Sequence, residues 1–236
     1  MRQHREDTVD VAHQSARIPV AGVVLEADIE VPERAPGLVL FAHGSGSSRH
    51  SPRNRYVASQ LNAAGLATVL ADLLTLEEER IDARTAELRF DVGLLATRLA
   101  GLTDWLADNE STAGLGTGVF GASTGAAAAL IAAAARPAVV QAVVSRGGRP
   151  DLAGEYLRLV QQPVLLIVGG EDPVVIDLNQ EALRELAGET RLEIVPGATH
   201  LFEEPGALEE VARLARDWFT ERLRPVPVHH GERRSR

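Results

Sequence analysis

The chain has 236 residues, 45% hydrophobic and 24% charged, which is enough to bury a sizeable core in a single α/β domain. Its formal net charge of −9 argues against nucleic acid and anionic membrane surfaces as general partners, because both require a positive field. It contains neither cysteine nor lysine, so disulfides, thiolate nucleophiles, Schiff-base lysines, a Ser–Lys dyad and a Walker A lysine are excluded together.

The opening residues Met1-Arg2-Gln3-His4-Arg5-Glu6-Asp7 lack the apolar core of a secretory signal. Val9 to Val31 alternates apolar and polar residues, and predicts two antiparallel strands that begin a sheet. After the Pro32 to Pro36 turn the pattern changes to short apolar runs separated by helical stretches, the signature of a parallel sheet covered on both faces. Leu38 to Ala42 is the first buried strand, followed by the loop His43-Gly44-Ser45-Gly46-Ser47-Ser48. Ser51 is placed to cap the next helix, with Pro52 at its first position and Gly65 closing it. Leu66 to Ala71 is a strand, Thr75 to Ala83 a polar loop, and a long amphipathic helix then ends near Asn109.

Gly118 to Gly121 is a strand that runs straight into Ser123 and an alanine-rich helix, Gly125 to Arg136, expected to be buried all round. Within it Ala126 to Ala135 is the longest apolar run, about half of what a membrane span needs. Val139 to Val144, Val164 to Val168 and Leu192 to Val195 complete a mostly parallel sheet of about eight strands. Helices at Leu178 to Leu186 and Ala207 to Leu223 accompany them. We expect one α/β domain over residues 1–224, a disordered Pro-, His- and Arg-rich tail over 225–236, and a cytoplasmic protein.

Gly121-Ala122-Ser123-Thr124-Gly125 fits the G-x-S-x-G elbow, in which a serine is raised on a sharp strand-to-helix turn between small neighbours. The turn aims the Thr124 N–H at a developing oxyanion, and the helix start adds a favourable field. The overlapping run Gly116-Thr117-Gly118-Val119-Phe120-Gly121 imitates the dinucleotide fingerprint. Its glycines lie along the strand rather than after it, and no acid follows about 20 residues on, so no dinucleotide is expected.

An activated serine needs a base, and the base an orienting acid, here in the order Ser, acid, His. Of the histidines after Ser123, His229 and His230 lie in the tail, which leaves His200, behind a Pro196-Gly197 turn, as the base. Asp172 follows a strand end, where sites of open α/β sheets collect, and is the preferred acid. Glu171 is its neighbouring rival, and Asp177 with Gln180 is read as a helix capping box. The loop after the first buried strand offers the second oxyanion donor, the N–H of Ser45, with Gly46 as alternative. His43 and His50 find no recognisable third ligand, so neither a metal nor another cofactor is expected.

These stretches, with Ala71-Asp72-Leu73-Leu74-Thr75 and Gly197-Ala198-Thr199-His200, resemble the α/β-hydrolase superfamily over residues 8–223, and within it the dienelactone hydrolase-like group. The likeness extends to hydrolase domains fused to phosphoribosyltransferases in actinobacteria. It implies the α/β-hydrolase fold and an acyl-enzyme hydrolase of small carboxylic esters, thioesters or lactones. Dienelactone hydrolases proper use a cysteine where this chain has Ser123, so their lactone substrate does not carry over. Acyl transfer or perhydrolysis by the same three residues, and a non-catalytic binding module, are the alternatives. Residues 146–162 are too few for a multi-helix lid, so an open site for a small molecule is expected.

Arg49, Arg53, Arg80, Arg84, Arg146 and Arg149 fall in loops at the sheet's C-terminal edge. Arg146 and Arg149, beside the elbow, are the candidate contacts for an anionic substrate, and Asp151 or Glu77 to Glu79 are candidate ion-pair partners for several of these side chains. Oligomeric state is not legible.

Overall fold

The computed structural model describes residues 11–227. The readings for residues 1–10 and for the tail from 228 onward lie outside the described residues. At Ala21-Gly22 both residues take positive φ, 49° and 80°, the backbone of a tight hairpin turn whose twist matches that of its strands. This turn joins β1 (Val11–Val20) to β2 (Val23–Pro32).

The parallel part follows as β3 (Gly37–Ala42), β4 (Ala67–Ala71), β5 (Gly116–Ala122), β6 (Val140–Arg146), β7 (Val164–Gly169) and β8 (Thr190–Val195). The eight strands form one sheet in the order β1-β2-β4-β3-β5-β6-β7-β8, antiparallel at β1/β2 and β2/β4 and parallel elsewhere. This is the α/β-hydrolase fold.

Pleating sorts the central side chains to two cores. Val39, Phe41, Phe120 and Val144 pack under α1 (Pro52–Ala63) and α6 (Ala207–Arg222). Leu38, Leu40, Val119 and Val143 pack on the opposite face under α3 (Val92–Asp108) and α4 (Thr124–Ala135). The alanines of α4 are buried almost throughout, as their small size allows against a sheet. Between β6 and β7 lies one 3₁₀ segment, Pro150–Leu159, broken at Gly154 (φ 52°), so no multi-helix lid is inserted there. No helix among the described residues is long and apolar enough to cross a membrane.

Two local readings are corrected. The segment after β4 is a helix, α2 (Leu76–Thr85), not a polar loop. Thr75 and Glu78 cap its start reciprocally, and only Asp82 of the helix is buried, so no apolar stripe announces it. The helix after β7, α5 (Pro173–Glu185), begins five residues before the expected start, which leaves Asp177 inside it rather than in a capping box. Pro173 starts it, since a proline at the first position loses no hydrogen bond and presents a helical φ.

Candidate active site

Ser123 joins β5 to α4 with φ 50° and ψ −121°, a conformation that costs a non-glycine residue about 1–3 kcal/mol. The surroundings hold it. Its N–H donates to Arg146 O (3.1 Å), and its carbonyl accepts from Ala126 N (3.1 Å) and Arg149 N (3.2 Å). A Cβ on Gly121 would lie 2.4 Å from Ala126 Cα, and one on Gly125 2.4 Å from Ala42 O. The two glycines of the pentapeptide are therefore demanded by backbone crowding at the turn.

His200 and Asp172 arrive on neighbouring loops, after β8 and β7. A Cβ on Gly169 would lie 2.4 Å from Ala198 O, so the loops pack closely only because that residue is glycine. Glu171 N–H donates to Ala198 O (2.9 Å), and Thr199 is tied to Glu204 through its N–H (3.1 Å) and its hydroxyl (2.6 Å). His200 Nδ1 lies 2.7 Å from Asp172 Oδ2, and Nε2 lies 3.4 Å from Ser123 Oγ. A carboxylate only accepts, so Nδ1 carries the proton in this contact and Nε2 is left as the acceptor toward the serine. The 3.4 Å separation is at the long end for such a bond, as is common without substrate. Asp172 occupies the N-cap position of α5 yet caps nothing, because its carboxylate is turned to His200. Glu171 is exposed, with no bond to the imidazole.

The loop after β3 closes the third side. A Cβ on Gly44 would lie 3.2 Å from Ser123 Cβ, which brings Ser45 into the same cavity as Ser123. His43, 7% exposed, anchors this loop. Its Nε2 accepts from Leu73 N–H (3.0 Å) and its Nδ1 donates to Gly44 O (3.0 Å). Burial pulls its pKa below the usual imidazole value and keeps it neutral, which suits both contacts. Sequence reasoning weighed His43 only as a metal ligand. Its pinning of the loop depends on Leu73, thirty residues away. Among the described residues no group of three or more His, Cys, Asp or Glu is arranged to hold a metal ion.

The arginines separate. Arg149 is forked onto Asp151 (2.8 and 2.7 Å), and that partner raises its pKa, so its guanidinium is engaged away from Ser123. Arg49 pairs with Asp72, and Arg80 and Arg84 stand exposed on α2. Arg53 pairs with Glu203 at 3.1 Å. Arg146, at the end of β6, is 7% exposed, and its Nε and Nη1 have no partner among the described residues. Burial first, and the charge of Arg53 second, lower its pKa to about 10, so it stays cationic at neutral pH.

The dienelactone hydrolase family model matches residues 22–223. The chain belongs to the dienelactone hydrolase family. A crystal structure of a dienelactone hydrolase from Anabaena variabilis is 60% identical, with a TM-score of 0.90 over 91% of this chain and 99% of its own. Est1E from Butyrivibrio proteoclasticus shares the fold at 17% identity, with a TM-score of 0.73 over 88% of this chain and 98% of its own. Proteins from two Mycobacterium tuberculosis strains, named as phosphoribosyl transferases, are 58% identical over 219 residues, 93% of this chain and 47% of theirs. The chain thus spans about half the length of these curated relatives.

In this family member two cavities meet at the β3–α1 loop. One, of about 200 Å³, holds Ser123, His200, Arg146 and Arg53. The other, of about 310 Å³, lies beneath α2, between Leu74, Leu95 and the Asp82–Arg89 ion pair. Gly44, Ser45 and Ser47 border both.

Proposed function

We propose that this chain is a serine hydrolase that cleaves a small carboxylic ester, thioester or lactone through an acyl-enzyme. The observation that carries the reading is the continuous contact from Asp172 through His200 to Ser123 at a strained strand–helix turn. In this mechanism His200 Nε2 takes the Ser123 proton as Oγ attacks the carbonyl carbon, and the imidazolium formed is stabilised by Asp172. The N–H groups of Ser45 and Thr124 receive the oxyanion, with the start of α4 behind it. His200 then protonates the departing alcohol or thiol, and deprotonates the water that releases the acid.

The 3₁₀ segment in place of a lid favours small substrates, and the buried cation of Arg146, rather than the Arg149 paired with Asp151, favours acidic ones. A fluorophosphonate probe tests the reading directly. A single adduct on the peptide containing Ser123, abolished by S123A, is the expected result; an adduct on another serine, or none, overturns it. Turnover that persists in EDTA is expected of a mechanism made only of side chains and backbone.

A further inference from the structure

We propose that Arg146 and Arg53, together with the first turn of α1, hold a phosphate group carried by the substrate, so that the ester cleaved at Ser123 belongs to a phosphorylated compound. The inference rests on the serine-hydrolase reading and deepens it.

A buried guanidinium is ordinarily matched by an internal acceptor, because an unpaired charge out of water is costly. Arg146 makes no side-chain hydrogen bond or ion pair among the described residues, and Nε and Nη1 are both buried without a partner. The Phe202 ring lies 5.9 Å from its guanidinium carbon. Of the guanidinium nitrogens, Nη2 is the one left open to the cavity shared with Ser123, while Nε and Nη1 lie shielded behind it. Arg53 makes the imbalance worse, since it brings a second positive charge to the same cavity. Its own Nε is buried and unpartnered, and its acid, Glu203, is 64% exposed and therefore screened by water.

Much of the rest of the wall is polar, with Asn54 Oδ1 an unpartnered acceptor among the donors. Ser51, Arg53 and Asn54 place the N-terminus of α1, a helix of 12 residues, on the cavity, and a helix start favours anions. Ser51 Oγ accepts from Asn54 N–H (3.4 Å), which leaves its hydroxyl proton to donate. Ser45 and Ser47 face the cavity from the β3–α1 loop. Donors thus converge from the end of β6, the start of α1 and this loop. A phosphate monoester, tetrahedral with three terminal oxygens and up to two charges, can meet all three sides. A carboxylate, planar with two oxygens and one charge, matches a single guanidinium fork. Arg146 is register partner of Ala122, and its carbonyl accepts the Ser123 N–H, so the phosphate would lie beside the reacting carbonyl in one cavity.

Three esters alike except for a terminal phosphate, carboxylate or neutral amide test this through kcat/KM. The phosphate ester should exceed the neutral one by on the order of 10- to 150-fold, and exceed the carboxylate as well. R146M should collapse the phosphate-to-neutral ratio; should that variant not fold, R53M at the half-exposed partner carries the same comparison. Independently of turnover, inorganic phosphate at constant ionic strength should raise the Tm of the wild type but not of R146M. Equal rates for phosphate and neutral esters, or a carboxylate ester as good as the phosphate one, overturn the phosphate site, as does a Tm indifferent to phosphate. Absence of the Ser123 adduct overturns the hydrolase reading instead, so the two failures are distinguishable.

Discussion

Arg98 and Arg146 are nearly equally buried, 3% and 7% exposed, and live in opposite circumstances. Arg98, on α3, donates to Leu73 O (2.7 Å) and grips both Glu78 oxygens (2.8 and 2.6 Å), which ties α2 to the sheet. Arg146 has no such acceptor, and its neighbour in charge is another arginine. The first cation is balanced inside the fold and serves its architecture. The second is held against its own electrostatics beside a strained serine, so its balance must be sought in what the site binds.

This contrast can be broken from either side. The largest effect belongs to S123A, which should lower kcat by on the order of 10⁴–10⁶-fold with little change in Tm, since the serine serves chemistry rather than packing. D172N should follow, with a loss of on the order of 10⁴-fold and a retained fold, while E171Q stays close to wild type; the opposite ranking would move the acid to Glu171.

On the clasp side the readout reverses. E78Q leaves Arg98 buried without its counter-charge and should cost about 3–5 kcal/mol in denaturant unfolding while the cavity residues stay unaltered. Arg98 holds the Glu78 carboxyl down to about 2, below its ordinary 4.5. A depressed acid adds stability above its unfolded value and loses it as pH falls through the folded one. The Tm gap between wild type and E78Q should therefore be full above pH 4.5 and shrink toward pH 2. The smallest effect sharpens the comparison most. R146M removes a buried charge that has no partner to strand, and should raise stability by about 1–2 kcal/mol. If it destabilised the protein as E78Q does, Arg146 would have an internal partner after all, and the contrast would fail.

How much could be read in advance differs residue by residue. Ser123, Asp172 and His200 were legible because each sits at a strand's C-terminal end in the order this fold imposes, and the structure brings the three into contact. The Arg149–Asp151 pair was legible as a possibility from its spacing, but not the outcome that Arg146, three residues before, would be the buried one. α2 was missed because it buries no apolar stripe and is held by an ion pair to the distant Arg98; the one local signal of its start is the Thr75–Glu78 capping box. α5 was placed too late because Asp177 and Gln180, inside the helix, imitate a capping box, while Asp172 at the true N-cap position is turned to His200.

The sequence by itself determined what depends on near neighbours and periodicity. These are the alternation of β1 and β2, the apolar runs of the parallel strands, the glycines that let Ser123 stand on its turn, and the exclusion of thiol and lysine chemistry. Tertiary structure alone decided what depends on a partner far along the chain. His43 finds Leu73, Arg98 finds Glu78, and Arg146 meets Arg53 and Phe202. A charged side chain carries the same letter whether it is matched or stranded, and only packing brings its counter-charge within reach or leaves it without one.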